Sequence, residues 1–374
     1  MSRAVLAPAS WWSVLPLLWV LAGGALAAEM PLAGETETEE EHGSTLIPFP
    51  FVYYTPETET AFGATVGYYF RTSRDSTRDW PSSLAPIVIY TQKKQFITAL
   101  GGDVYLEEGR YHLVAGISYL RFPNTFWGVG NDAPDSAEED FTARSLAISA
   151  VLQKRVAPDW YAGITLGLAH RELTEVERGG LLATHAVPGT ANGWVIGAGV
   201  QVDRDARDSN VYPTRGSFLR LAASRNDGRL GSDYDFSAFT LDVRRYLPLG
   251  PWRVLALRAV ALGTTGTPPF DLLPALGGDT LLRGYFAGRY RDRDLLAFQA
   301  EARTPFWRRL GAVAFLAAGQ VAHDPADLGT GGFHAAGGFG LRFLLSRDEH
   351  LNLRADWGAG QGDSGFYLGI GEVF

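Results

Sequence analysis

The residues of this chain that could do chemistry are arginines and carboxylates rather than nucleophiles. Arg283, in the run Leu282-Arg283-Gly284-Tyr285, carries a planar donor fork suited to a carboxylate. Glu301 opens the run Glu301-Ala302-Arg303-Thr304-Pro305-Phe306. Catalytic constellations are missing from the sequence. It has no Gly-x-Ser-x-Gly elbow and no Ser, His and Asp set at a recognisable spacing. The histidines at 42, 112, 170, 185, 323, 334 and 350 are dispersed, with no His-x-x-x-His pair for a metal. Cys is absent, which excludes disulfides, thiolate sites and the acylated Cys of a lipoprotein. The sequence therefore predicts no catalytic residue, no metal and no cofactor, and a membrane-embedded hydrolase is the reading it disfavours. A net charge of -8 argues against nucleic acid as a partner.

Positioning such groups requires a frame, and composition limits which one. Of 374 residues, 46% are hydrophobic, yet mean hydropathy is only -0.04, so apolar residues are diluted evenly. The exception lies at the start. Arg3 precedes the apolar run Trp11 to Leu26, and Ala25-Leu26-Ala27 fits the small-x-small cleavage rule. Residues 1–27 read as a signal peptide; a membrane-anchoring helix is the alternative, weakened by Pro16 and two glycines. Residues 28–46 read as an acidic, disordered leader around Gly34 to His42, solvated or else tucked into a barrel. No later stretch is apolar for the ~18 residues that a spanning helix needs. A membrane protein here must be a closed barrel, the other structure that satisfies every backbone group in lipid.

From residue 47 to 374 the pattern has period two. Trp160, Ala162, Ile164, Leu166 and Leu168 face one way, and Tyr161, Gly163, Thr165, Gly167 and Ala169 the other. Leu351, Leu353, Ala355 and Trp357 oppose Asn352, Arg354 and Asp356 in the same manner. One face suits lipid and the other a wet lumen. A soluble sandwich also alternates, but its inner face interlocks bulky residues and its outer face is the polar one. Sixteen candidate strands run from 48–54 to 364–374. The longest connections, near 122–138, 173–191 and 265–292, are all odd-numbered, and most even-numbered ones are tight turns such as Ala157-Pro158 and Arg308-Arg309. Long loops at one end and short turns at the other fit an outer-membrane barrel. The segment 72–83 breaks the rule. The fold class expected is all-β, a transmembrane antiparallel barrel of about sixteen strands, by this strand pattern.

The connection between the eleventh and twelfth strands carries Leu276-Gly277-Gly278, Leu282-Arg283-Gly284-Tyr285 and Gly288-Arg289. It resembles the inward-folded sixth loop of the barrel-assembly and two-partner-secretion transporter superfamily, the bacterial surface antigen family. Glu301 to Phe306 resembles that family's Glu-x-x-x-Pro segment. Asp203 to Gly216, with Asp205 and Pro213, resembles its Asp-Arg-Asp…Pro-x-x-Gly hairpin, and Phe126 to Asn131 its aromatic-Gly-x-Gly loop. The matches run in order over the whole barrel. The resemblance implies that Arg283 pairs with Glu301 and, with Gly284 and Tyr285, pins the loop in the lumen; the alternative leaves Arg283 solvated. For a wet lumen the pair would contribute about 1 kcal/mol. The resemblance also implies that Phe374, an aromatic ending the last strand, serves as an assembly signal.

Two departures set this chain apart. The family's polypeptide-transport-associated domains have no counterpart in 28–46, and Ala317 stands where the family has an Asp that helps hold the loop Arg. The function implied is assistance to protein insertion or translocation at the outer membrane of a Gram-negative bacterium, together with a separate periplasmic partner or protein client. The alternative is a passive pore or structural barrel. Outer-membrane lipid and lipopolysaccharide would surround the wall.

Overall fold

Alternation along each strand becomes a wall with two faces. The computed structural model describes residues 45–70, 72, 82–346 and 350–374. Its barrel runs β1 (Thr45–Thr55), β2 (Glu59–Phe70), β3 (Ser82–Thr91), β4 (Phe96–Leu106), β5 (Tyr111–Phe126), β6 (Glu139–Ala157), β7 (Trp160–Val176) and β8 (Gly193–Asp205). It continues with β9 (Gly216–Asn226), β10 (Phe236–Gly250) and β11 (Arg253–Gly266). Two short strands, β12 (Ala275–Leu276) and β13 (Tyr290–Arg291), pair as a ribbon within the next loop. The wall resumes with β14 (Asp294–Trp307), β15 (Leu310–Ala322), β16 (His334–Ser346), β17 (Leu351–Gly360) and β18 (Ser364–Ile370). Neighbours in sequence pair antiparallel, β11 pairs β14, and β18 closes on β1. The wall thus has the sixteen strands expected. The signal peptide and most of the leader fall outside the described residues; Thr45 and Leu46, assigned to the leader, belong to β1.

The faces follow the parity read in the sequence. On β7, Ile164 and Leu166 are half exposed on the outside while Thr165 between them is buried inside. The inner face differs from the wet, small or charged lining expected. It splits by region. On β1–β4 it is apolar, with Phe51, Tyr53, Ile87, Ile89 and Ile97 packed together. Arg220, Arg244, Glu301, Arg303, Arg342 and Asp356, all buried, give β9, β10, β14, β16 and β17 a charged lining. Parity tells which residues point inward but not whether they touch each other there.

The connections separate the ends. At one end lie tight turns, in which Asp159 and Arg308 take positive φ. At the other lie the long loops. β6 runs for 19 residues and β7 for 17, well beyond the ~9–11 that a spanning strand needs, so the wall rises past a membrane at the loop end. Two loops are correspondingly shorter than the sequence suggested. The strands persist because Phe126 and Phe141 point inward onto Phe270 of the 267–293 loop, at 4.9 and 5.4 Å between rings.

Closure is uneven. β17 and β18 pair over seven positions, Leu353 opposite Ile370 through Ala359 opposite Ser364. β1 and β18 pair at one, Tyr54 opposite Leu368. The final strand is also shorter than the 364–374 expected. Gly371 takes φ +82 and turns the chain inward, where Glu372 bonds Arg342 and Phe374 is buried among Tyr246, Val254 and Ala256. Phe374 therefore does not end a strand.

Candidate functional site

The loop 267–293 descends from the long-loop end into the barrel. The β12–β13 ribbon forms its stem and Asp279 to Phe286 its tip. Inside the tip, Gly278 N–H donates to Tyr285 O at 2.9 Å. Arg283 projects from it and is 4% exposed. One guanidinium nitrogen donates to Glu301 of β14 and the other to Asp356 of β17, the latter at 2.6 Å. The guanidinium plane lies over the Phe315 ring of β15, 3.6 Å from its centroid. This is the fork geometry that lysine cannot reproduce.

The backbone around Arg283 fits only because neighbouring positions are small. Gly284 has φ +121, and a Cβ there would meet the Ala359 backbone at 2.9 Å. On β17, a Cβ at Gly360 would meet the Tyr285 ring at 2.2 Å. Tyr285 is fully buried; its hydroxyl donates to Ala335 O at 3.3 Å and accepts from Gln361 N–H at 2.8 Å. The Tyr367 hydroxyl of β18 accepts from Gly284 N–H at 3.0 Å, so the seam strand also holds the tip.

The four residues picked from sequence, Arg283, Gly284, Tyr285 and Glu301, thus lie together; Phe374 touches the same network from the turn end. The second carboxylate that Ala317 lacks is supplied by Asp356. Ala317 instead packs against the apolar cluster of Leu276, Leu282 and Tyr285. Asp356 also accepts from Arg342 and from Arg354, the latter at 3.3 Å, and Glu301 accepts from Arg303 Nε at 2.7 Å. Glu301 and Asp356 are both 0% exposed, so the pair is dry. The wet-lumen energy of about 1 kcal/mol is therefore too small. Sequence reasoning placed Asp356 on the inner face but had no way to choose it as Arg283's partner across the intervening chain. Phe315 and Tyr367 were missed altogether; only their inward parity marked them.

The stem is held as firmly. Arg289 reaches Ala133 O at 2.9 Å, Arg291 O accepts from Gly130 N–H at 2.8 Å, and Trp127 meets Phe286 edge-on at 5.1 Å. The aromatic-Gly-x-Gly segment is thus a clamp on the loop. Arg171 of β7 bonds Asp271 at 2.6 Å. On the far side, Glu57 in the β1–β2 turn accepts from Ala287 N–H at 2.6 Å. Burial pushes the Glu57 carboxyl above the ordinary range, against the smaller opposing effect of its hydrogen bonds. A carboxyl raised by folding stabilises below its unfolded value and loses that contribution as pH rises through the folded one. Protection of the loop from protease is therefore expected to fall as pH rises through the raised Glu57 value. Glu57→Gln should flatten that dependence while keeping the bond; an unchanged pH profile in the variant would assign the effect elsewhere.

Comparisons with known proteins bear on this geometry. Residues 86–374 match the Omp85 superfamily domain. No curated protein matches the chain. Among solved structures the chain is similar to BamA from Haemophilus ducreyi lacking POTRA domains 1-3, at 16% identity and TM-score 0.64, over 89% of this chain and 71% of that one. It is also similar to CdiB from Escherichia coli at 12% identity and TM-score 0.56, over 90% of this chain and 64% of that one. CdiB from Acinetobacter baumannii gives 13% identity and TM-score 0.54, over 87% and 59%. The chain spans less than two thirds of either CdiB chain, and likeness at these identities is likeness of fold. The matched domain covers most of the sixteen-stranded wall and the loop within it, and the chain accordingly belongs to the Omp85 superfamily of outer-membrane β-barrels.

Proposed function

We propose that this barrel assists insertion or translocation of proteins at the outer membrane, working with a separate periplasmic partner or directly on a protein client. The observation that carries the reading is the seam, joined at one position, Tyr54 opposite Leu368. Each ladder hydrogen bond missing in lipid weakens closure, so this is where the wall opens most readily. Tyr367 ties the seam strand to the loop tip, which makes loop docking and seam closure parts of one state. Phe374, buried in the folded barrel, acts as an assembly signal before closure, while the strand is still extended. Outer-membrane lipid and lipopolysaccharide contact the outer face, where Val52 and Phe366 flank the seam.

A second reading, the passive pore, draws on a small hollow along β6 to β10, whose lining includes Ser149, Thr165, Ser224 and Asn226. One experiment separates the two. The chain has no Cys, so Tyr54→Cys with Leu368→Cys gives an unambiguous disulfide across the seam. In cells, the oxidised lock is expected to lower at least one outer-membrane or secreted protein, which reduction restores. If those fractions stay unchanged while purified barrels conduct equally in both redox states, the passive pore is the better reading.

A further inference from the structure

Residues 371–374 leave the wall at a defined point, and β1 shows why. Tyr54 lies opposite Leu368. Extending that antiparallel register two residues at a time sets Val52 opposite Ile370, Pro50 opposite Glu372 and Pro48 opposite Phe374. Successive residues of a strand turn their N–H and C=O alternately to one neighbour and the other. Gln92 N–H donates to Thr60 O at 2.8 Å, so the even-numbered residues of β2 serve β3 and its odd-numbered residues serve β1. Tyr53 pairs Ala61 and Phe51 pairs Gly63, so the odd residues of β1 serve β2. Pro48 and Pro50 therefore face the seam. The β1–β2 register runs through both prolines without a break. Pro86 on β3 is the contrast: the β2–β3 register skips its position opposite Val66, where a proline nitrogen faces the partner strand.

On the other side of the seam, Gly371 N–H donates to Asn352 O of β17 at 2.7 Å. Glu372 and Phe374, were they extended, would by alternation address β1. Each would present a carbonyl to a proline that has no N–H, at the lipid boundary, where an orphaned acceptor is costly. The lumen offers more. Glu372 accepts from Arg342 Nε at 2.9 Å and from Asn352 Nδ2 at 2.8 Å. Phe374 O accepts from Arg303 Nη2 at 2.7 Å, and its ring fills a pocket of Tyr212, Tyr246, Val254 and Ala256. Among the described residues, Arg303 Nη1, on the same guanidinium, is buried with no hydrogen-bond partner and so has a donor to spare.

We propose that the turn end of the lumen is a binding site for an acidic–aromatic peptide segment, filled here by the chain's own Glu372 and Phe374 because Pro48 and Pro50 deny them a place at the seam. The pocket supplies cations for the carboxylate and the main-chain oxygen, and an apolar floor for the ring. A separate segment of the same chemistry competes for it with the tethered one. This site stands apart from the insertion reading: it exists whether the seam opens or not.

The test uses the full chain with the photo-crosslinker p-benzoylphenylalanine at 374, irradiated in detergent and mapped by mass spectrometry. Adducts are expected on Tyr212, Tyr246, Val254 or Ala256; adducts on residues 45–55 would overturn the assignment. In the Pro48→Val/Pro50→Val chain, adducts are expected to move to β1, and an unchanged map would remove the prolines from the explanation. For the ligand claim, labelled Gly-Glu-Val-Phe is titrated against the Glu372→Lys/Phe374→Ser chain and the parent by anisotropy. A tethered competitor acts at millimolar effective concentration, so the variant should bind at least about tenfold more tightly. Equal binding would overturn the site.

Discussion

Arg283→Ala is expected to leave the barrel folded and its loop undocked. The side chain makes two charge-assisted contacts, to Glu301 and Asp356, and covers Phe315. Breaking a dry ion pair costs about 3–5 kcal/mol when the survivor is left alone. Here neither carboxylate is, because Glu301 keeps Arg303 and Asp356 keeps Arg342 and Arg354. The lower end, about 3 kcal/mol, is the better figure and corresponds to roughly two decades in the docking equilibrium. Limited proteolysis of the 267–293 loop in folded barrels should accelerate accordingly, and single-channel current should become noisier. Arg283→Lys should resemble Ala, since an ammonium lacks the planar fork that reaches both carboxylates while lying flat on the ring. Cleavage at the parental rate in both variants would mean that the loop is held by its stem at Arg289 and Arg291 alone. Ala317→Asp, which the family pattern recommends as a strengthening change, is expected to weaken docking, because the new carboxylate enters the cluster around Leu276 and Leu282.

Asp356→Ala should be worse. Asp356 accepts from three arginines, one on the loop, one on β16 and one on β17 itself. Removing a cation from the loop lets the loop swing away from the imbalance. Removing the central anion takes away the one charge that three converging guanidiniums share and leaves each with a single carboxylate, Arg283 with Glu301, Arg342 with Glu372 and Arg354 with Asp279. Several kcal/mol are lost, on the scale of a broken buried pair, and they fall on the barrel rather than on one loop. The expected result is a sharp drop in heat-modifiable protein on an unboiled gel. Asp356→Asn, which keeps shape and acceptor but not charge, should fail in the same way. Normal assembly of the Asn chain would show that hydrogen bonding, not charge, is what the position supplies.

Which features could be read beforehand depends on which interactions are local. Alternation such as Ile164, Leu166 against Thr165 is local, so the strands and their faces were legible. The loop motif around Arg283 and its partner Glu301 were legible through resemblance. Asp356 was not, because inner-face parity leaves several carboxylates eligible, and only the curved wall turns β14, β15 and β17 toward one loop tip. The dryness of the lumen was hidden for the same reason: Phe51, Ile87 and Ile97 look like ordinary inward positions until three strands bring them together. The inward turn at Gly371 could have been suspected from Pro48 and Pro50, but only once the register of the seam was known.

Glu301 has a property that belongs to neither of its partners. It accepts from Arg283, which arrives on a loop from the long-loop end, and from Arg303, which holds Phe374 at the turn end. One carboxylate therefore stands between two docking equilibria at opposite ends of the barrel. Thermodynamic linkage is reciprocal, so whatever free energy the lower segment lends to the loop, the loop returns to the lower segment. A ligand that dislodged Phe374 from below would be felt above as a looser lid, and a ligand seated on the lid would tighten the mouth beneath it. The wall need not move for this message to cross; only the sharing of one buried charge has to change.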